Sequence, residues 1–192
     1  MATHIGIGSQ LQPDEVSAET LKGIDHVYME SYLWDHDLTK QTLQKVGEIA
    51  KAQKIETSLS LSDPFCVDRH RDELKKFVEE YIDIVFCNFD EAKMFCQCES
   101  MADVSAYLQN FSKKIVMTAG PEGAYYFEGE TVVHEVALKV DNVIDTTGAG
   151  DNFAAGFLDF YLSDKSIQEA LAQGNSRASQ VIQQLGPRIK RH

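Results

Sequence analysis

Positive charge is what this sequence is short of. Eighteen Lys and Arg residues stand against 30 Asp and Glu, for a formal net charge of −12. That balance argues against nucleic acid or an anionic membrane as a main partner, because both are held by clustered basic side chains. No signal peptide is recognisable, and no apolar run is long enough to span a bilayer. Cysteine is scarce: Cys66, Cys87, Cys96 and Cys98 are the four present. Cys96 and Cys98 form one C-x-C, with no second pair at zinc-ribbon spacing. Free thiols in a reducing cytoplasm are expected. A strand–GxGxxG–helix unit followed by an acidic residue is also missing, which disfavours a Rossmann dehydrogenase. Internal repeats, low-complexity tracts and linkers are absent. The 192 residues therefore read as one domain with a sizeable core.

Strand and helix patterns alternate along the chain. Thr3 to Gly8 reads as an extended segment, and Pro13 starts a short helical piece. Strand-like stretches are His26–Leu33, Ile55–Leu61, Asp83–Cys87 and Lys114–Thr118. Helical spacing is seen from Leu38 to Ala52, from Asp68 through Val78, after Asn88, and from Ala102 to Phe111. Ala124–Phe127 and Thr131–Val136 flank Glu128-Gly129-Glu130 and predict a β-hairpin. Two helices follow, at about Gly150–Ser163 and Ser166–Leu185, with Gly186-Pro187 closing the second. The alternation predicts a parallel α/β sheet with helices on both faces, and a ligand beyond the carboxyl ends of its strands.

The most informative stretch is Val143-Ile144-Asp145-Thr146-Thr147-Gly148-Ala149-Gly150-Asp151-Asn152-Phe153. It reads as a strand end, a glycine turn, and the start of an apolar core helix. Glycine leaves the backbone bare, so amide N–H groups can approach a ligand. The helix start adds a positive dipole end that suits negative charge on phosphate oxygens. Asp151 could accept a proton from an attacking hydroxyl. A plain connection with an acidic cap is the alternative reading of Gly148-Ala149-Gly150 taken alone.

The full string Asp145 to Asp151 resembles the C-terminal signature of the PfkB (ribokinase-like) family of carbohydrate kinases. The resemblance implies a ribokinase-like three-layer sandwich with a mostly parallel sheet. It also implies transfer of the ATP γ-phosphate to a hydroxyl of a sugar or nucleoside. Gly148, Ala149 and Gly150 would then supply an anion hole, and Asp151 the catalytic base. Asn88-Phe89-Asp90-Glu91 has the family's Asn-x-x-Glu spacing, which implies that Glu91, with Asn88, organises Mg²⁺ mainly through water. A helix cap at Asn88 with an acidic first turn fits the same residues. Thr118, Gly120 and Gly123 resemble a segment along the nucleotide phosphates, and Asn175 a residue on the nucleotide side. Asp145 and Thr147 match positions that hold K⁺ in several members. Loop stabilisation by side-chain to backbone hydrogen bonds is the alternative for them. An acidic chain can still take ATP, whose phosphates meet local amides and metal rather than net charge.

The match is to the C-terminal part of the family, and 192 residues are fewer than its members have. The paired-glycine signature, the acceptor-binding Asp and the lid strands are not recognisable. The expectation is a single domain, 1–192, lacking the N-terminal portion and lid, that is inactive alone or pairs with a missing N-terminal segment or a second copy. A non-catalytic nucleotide-binding relic is the rival function. Tyr28 to Asp35 and Leu59 to Val67 look most like the adenosine-kinase-like branch. A small-molecule acceptor, a cytoplasmic location, and no nucleic-acid or membrane partner complete the reading.

Overall fold

The computed structural model describes residues 6–189. Its backbone packs as two compact units. One is Met1–Phe86 with Asp90–Val104, and the other is Cys87–Phe89 with Ser105–His192. Of the extended segment expected at Thr3–Gly8, residues 3–5 lie outside the described residues. Gly6–Gln10 is a short 3₁₀ turn, as is Pro13–Glu15.

In the first unit, β1 (His26–Glu30), β2 (Glu56–Ser60) and β3 (Ile84–Asn88, whose end belongs to the second unit) are parallel neighbours. Each crossover is a helix, as parallel pairing requires. The first, α1 (Asp37–Gln53), buries Leu43, Val46, Gly47 and Ala50 on one face. It ends at Lys54, whose φ of 58° breaks the helix while its amide bonds back to Ala50 and Lys51. The second, α2 (Pro64–Tyr81), starts earlier than its charge pattern suggests. Asp63 caps it by accepting from the Phe65 amide, and Pro64 takes the first position, where a missing N–H costs nothing. The backbone leaves helical angles at His70, two residues after the Asp68 start that the sequence suggests. Asp35 accepts from both Arg69 and His70 beside that kink. Leu59, Leu74, Ile82 and Ile84 fill the core, and Trp34 packs on Phe77 with ring centroids 4.7 Å apart. The strand expected to run to Leu33 stops at Glu30, and Ser31–Asp35 turns as a 3₁₀ helix. After β3 come α3 (Phe89–Cys96) and α4 (Met101–Gln109).

In the second unit, β4 (Lys114–Thr118), β5 (Ala124–Glu128) and β6 (Thr131–Glu135) form an antiparallel meander. The expected hairpin is its second half. Two helices, α5 (Ala149–Tyr161) and α6 (Ile167–Val181), pack closely together. Contact is tight because Gly156 faces Arg177 and Gln173, and Gly174 faces the Phe153 ring. A Cβ on either glycine would come within 2.8 Å of its neighbour. Phe153, Phe157 and Tyr161 recur every four residues and stack along α5, and Tyr126 of β5 stacks on Phe157. A Ser166–Glu169 capping box starts α6, satisfying two amides that the first turn leaves open. Among the described residues, no helix is long and apolar enough to cross a membrane.

Candidate active site

Residues 136–148, between β6 and α5, form neither strand nor helix. A connection of that length in a compact unit is uncommon and is usually functional. Val143 and Ile144 do not end a strand, as the sequence suggests. Both are exposed, and the Ile144 and Asp145 amides donate to Ile182 O, at 2.8 and 3.3 Å. The stretch is tied by its backbone to the end of α6 and does not enter the sheet.

Gly148 is the residue before α5, with φ 75° and ψ 10°. Left-handed backbone suits glycine, and space demands it as well. A Cβ there would come within 2.7 Å of Pro187 Cβ. The Ala149 amide turns inward and donates to Thr146 O at 3.1 Å, and the Asn152 amide closes the first helical bond to Gly148 O at 3.0 Å. Among the described residues, the Gly150 and Asp151 amides have no partner. They are two of the donors that every helix start leaves open. Of the amides of 148–150 that the sequence reading assigns to an anion hole, that of Ala149 is engaged within the turn by Thr146 O. Nothing lies within 4 Å of where a Gly150 Cβ would stand. Gly150 and Asp151 are both exposed, and the Asp151 carboxylate belongs to the same turn.

Asp145 holds the loop. Its Oδ1 accepts from the Thr147 amide and its Oδ2 from the Gly186 amide, both at 2.9 Å. The Thr147 hydroxyl, then the Gly186 and Thr147 amides, keep its carboxyl below the usual carboxylate range. This is the loop-stabilising role that the sequence left open beside K⁺.

Thr118 closes β4, and Gly120–Glu122 turns the chain into β5. Gly123 has φ 99°, and a Cβ there would stand 2.0 Å from Glu135 O. The Asn175 amide group donates to Glu135 O and Val136 O, both at 3.1 Å. Two residues assigned to the nucleotide side therefore meet on one strip of backbone, residues 135–137. Asn175 is buried, as a clamp should be. Asn88 is exposed at the end of β3, and Glu91 is buried in the first turn of α3. No group of three or more His, Cys, Asp or Glu among the described residues is placed to hold a metal ion directly.

Sequence reasoning missed Ile182, Gly186 and Pro187, which it took as a helix end, and the side chain of Asn152. No local pattern marks them, since their partners lie up to about 40 residues away.

Residues 6–191 match the pfkB family carbohydrate kinase domain. The chain belongs to the PfkB family. A solved structure of adenosine kinase from Sinorhizobium meliloti superposes with a TM-score of 0.89 at 36% identity, covering 94% of this chain and 55% of that one. The ribokinase-like α/β fold of these kinases is therefore the fold here. Cytidine kinase of Thermococcus kodakarensis is 32% identical over 120 residues, 62% of this chain and 43% of its own. Adenosine kinase 2 of Arabidopsis thaliana is 28% identical over 163 residues, 78% of this chain and 47% of its own. The chain thus spans about half the length of the PfkB relatives it matches, and it is consistent with the adenosine-kinase-like branch.

Proposed function

We propose that this chain carries the phosphoryl-transfer machinery of a kinase that moves the ATP γ-phosphate to a hydroxyl of a nucleoside or sugar. The observation that carries the reading is the start of α5. The Gly150 and Asp151 amides have no partner among the described residues, both residues are exposed, and the second carries a carboxylate. Such an arrangement suits phosphate oxygens on electrostatic grounds, and the amides are fixed before any ligand arrives, so little reorganisation is needed. Asp151 takes the proton of the acceptor hydroxyl. The Gly150 and Asp151 amides, with Gly148 setting their direction, hold the charge that develops on the phosphoryl oxygens. Positioning and electrostatic stabilisation then supply most of the rate.

Asn88 and Glu91 keep the Asn-x-x-Glu spacing, and we assign them to organising Mg²⁺, mainly through water. Carboxylate and amide oxygens are the hard donors that this ion takes while keeping several waters. When bound, Mg²⁺ supplies charge neutralisation on the phosphates. Thr118 and Gly120 line the nucleotide, while Gly123 and Asn175 shape its border by holding residues 135–137. Asp145 and Thr147 serve the loop first, since both Asp145 oxygens are already engaged. A K⁺ requirement would show as ATP affinity rising with K⁺ against a choline background. The acceptor follows the relatives, with a nucleoside ahead of a sugar. The domain is the C-terminal part of a PfkB-type kinase domain.

The test is titration of Mg·ATP into the chain by calorimetry, followed by phosphate transfer to adenosine, cytidine and ribose. Gly150→Val is expected to abolish binding by placing bulk at the open Cβ position of Gly150. Asp151→Asn is expected to keep binding and lower transfer by about 10²- to 10⁴-fold, the usual worth of a general base. No binding by the folded chain would overturn the reading. Binding without transfer to any acceptor would favour a nucleotide-binding module instead.

A further inference from the structure

We propose that Asn152 is a positioning residue for the loop before α5, acting by fastening Gly148 to the C-terminal segment at Pro187. Its side-chain amide donates to Gly148 O at 2.8 Å and to Pro187 O at 2.9 Å. Both hydrogens of one NH₂ group are thereby spent on two carbonyls, one in the turn and one in the C-terminal segment. The Gly148 carbonyl also accepts the Asn152 backbone amide, so both of its lone pairs are fixed. A peptide held at both lone pairs has little freedom to rotate, and the left-handed angles of Gly148 are kept.

The C-terminal segment is a firm anchor for this contact. Ile182 O accepts two loop amides, Gly186 N donates to Asp145, and Gln184 Nε2 bonds to Arg188 O at 2.6 Å. Pro187 itself packs under Gly148 at contact distance. Asn152 stands in the first turn of α5, on a helix whose next residues, Phe153 and Ala154, are buried. The side chain therefore joins a rigid helix to a tethered strap, with the glycine turn between them. Gly150 and Asp151 follow directly, so their amides take their direction from that turn. The consequence for nucleotide rests on the phosphate-binding reading above, whereas the fastening rests on the geometry alone.

Asn152→Asp keeps the shape and removes the donors, and Asn152→Ala removes the group without adding charge. Hydrogen exchange on both variants and the parent is the first measurement. Losing two hydrogen bonds predicts about tenfold faster exchange at the bonded amides of Asp145, Thr147 and Ala149, with β4 and the middle of α6 unchanged. Asn152→Gln, which keeps both N–H groups, is expected to recover part of the protection. Calorimetry with Mg·ATP then predicts about tenfold weaker binding for Asp and Ala, and partial recovery for Gln. Unchanged loop exchange in both variants would overturn the fastening. A loosened loop with parent-like affinity would overturn the positioning role. A parent chain that does not bind Mg·ATP would sink the phosphate reading and the positioning role together, leaving exchange to decide the fastening.

Discussion

Gly148 and Pro187 lie so close that a methyl group on the glycine would come within 2.7 Å of the proline ring. The residue before the helix and the residue 39 positions later are one structural unit. Gly148→Ala meets two penalties there. Left-handed backbone costs a non-glycine residue about 1–2 kcal/mol, and overpacking adds about 1–3. Urea unfolding should show a loss of about 2 kcal/mol or more, with weaker Mg·ATP binding at temperatures where the protein stays folded.

Gly150→Ala provides the contrast. Nothing stands near its Cβ position, and its φ is not left-handed. Its midpoint in urea should stay within about 0.5 kcal/mol of the parent, while nucleotide affinity falls. Unchanged nucleotide affinity in Gly150→Ala would show that the open position at its Cβ is not a binding space.

Gly123→Ala should be the most disruptive glycine substitution of the second unit. The Glu135 carbonyl stands where the methyl would go, and that oxygen is also held by Asn175. Residues 135–137 must move, at a cost of about 3 kcal/mol or more. Asn175→Ala, which empties the other side of the same strip, should cost about 2 kcal/mol through two lost hydrogen bonds. Because the two residues share one partner, the double variant should be less destabilised than the sum, as a double-mutant cycle in urea would read.

Asp145 gives the loop a pH dependence. Its carboxyl is held below the usual range by Thr147 and Gly186. A depressed folded-state pKa contributes stability that is fully present above the unfolded carboxyl's pKa. That stability is lost as pH falls through the folded value. Hydrogen exchange at residues 144–148, corrected for the intrinsic rate, should therefore loosen on the acid side of the ordinary Asp range. Asp145→Asn should remove that dependence, and a variant that kept it would place the titration elsewhere.

Local sequence carried much of the architecture. Lys114–Thr118 is the fourth strand as read, and α1, α3 and α4 lie within a residue or two of their helical spacing, because amphipathic periodicity and buried faces are local properties. Other boundaries moved for identifiable reasons. The start of α2 lies at Asp63-Pro64, which reads equally as the end of a strand, and Val143–Ile144 mimicked a strand because an apolar loop and an apolar strand share composition. Gly148 and Asp151 were legible as a glycine turn with a carboxylate. What the glycines do was less so. Gly123 reads as a phosphate neighbour, yet its immediate constraint is the Glu135 carbonyl across the sheet. Asn175 reads as a residue on the nucleotide side, and the partners of its side chain lie on a backbone strip 40 residues earlier. Such long-range partners leave no periodic trace.

The strap around Gly186 and Pro187 also sets an order of assembly. During synthesis the helices α5 and α6 leave the ribosome before residue 187 does, and their mutual packing can begin at once. The left-handed turn cannot acquire its floor until the proline emerges. Nascent chains stalled beyond α6 but short of this proline would hold a folded helix pair with an unshaped turn. Readiness for ligand would wait on the emergence of residue 187.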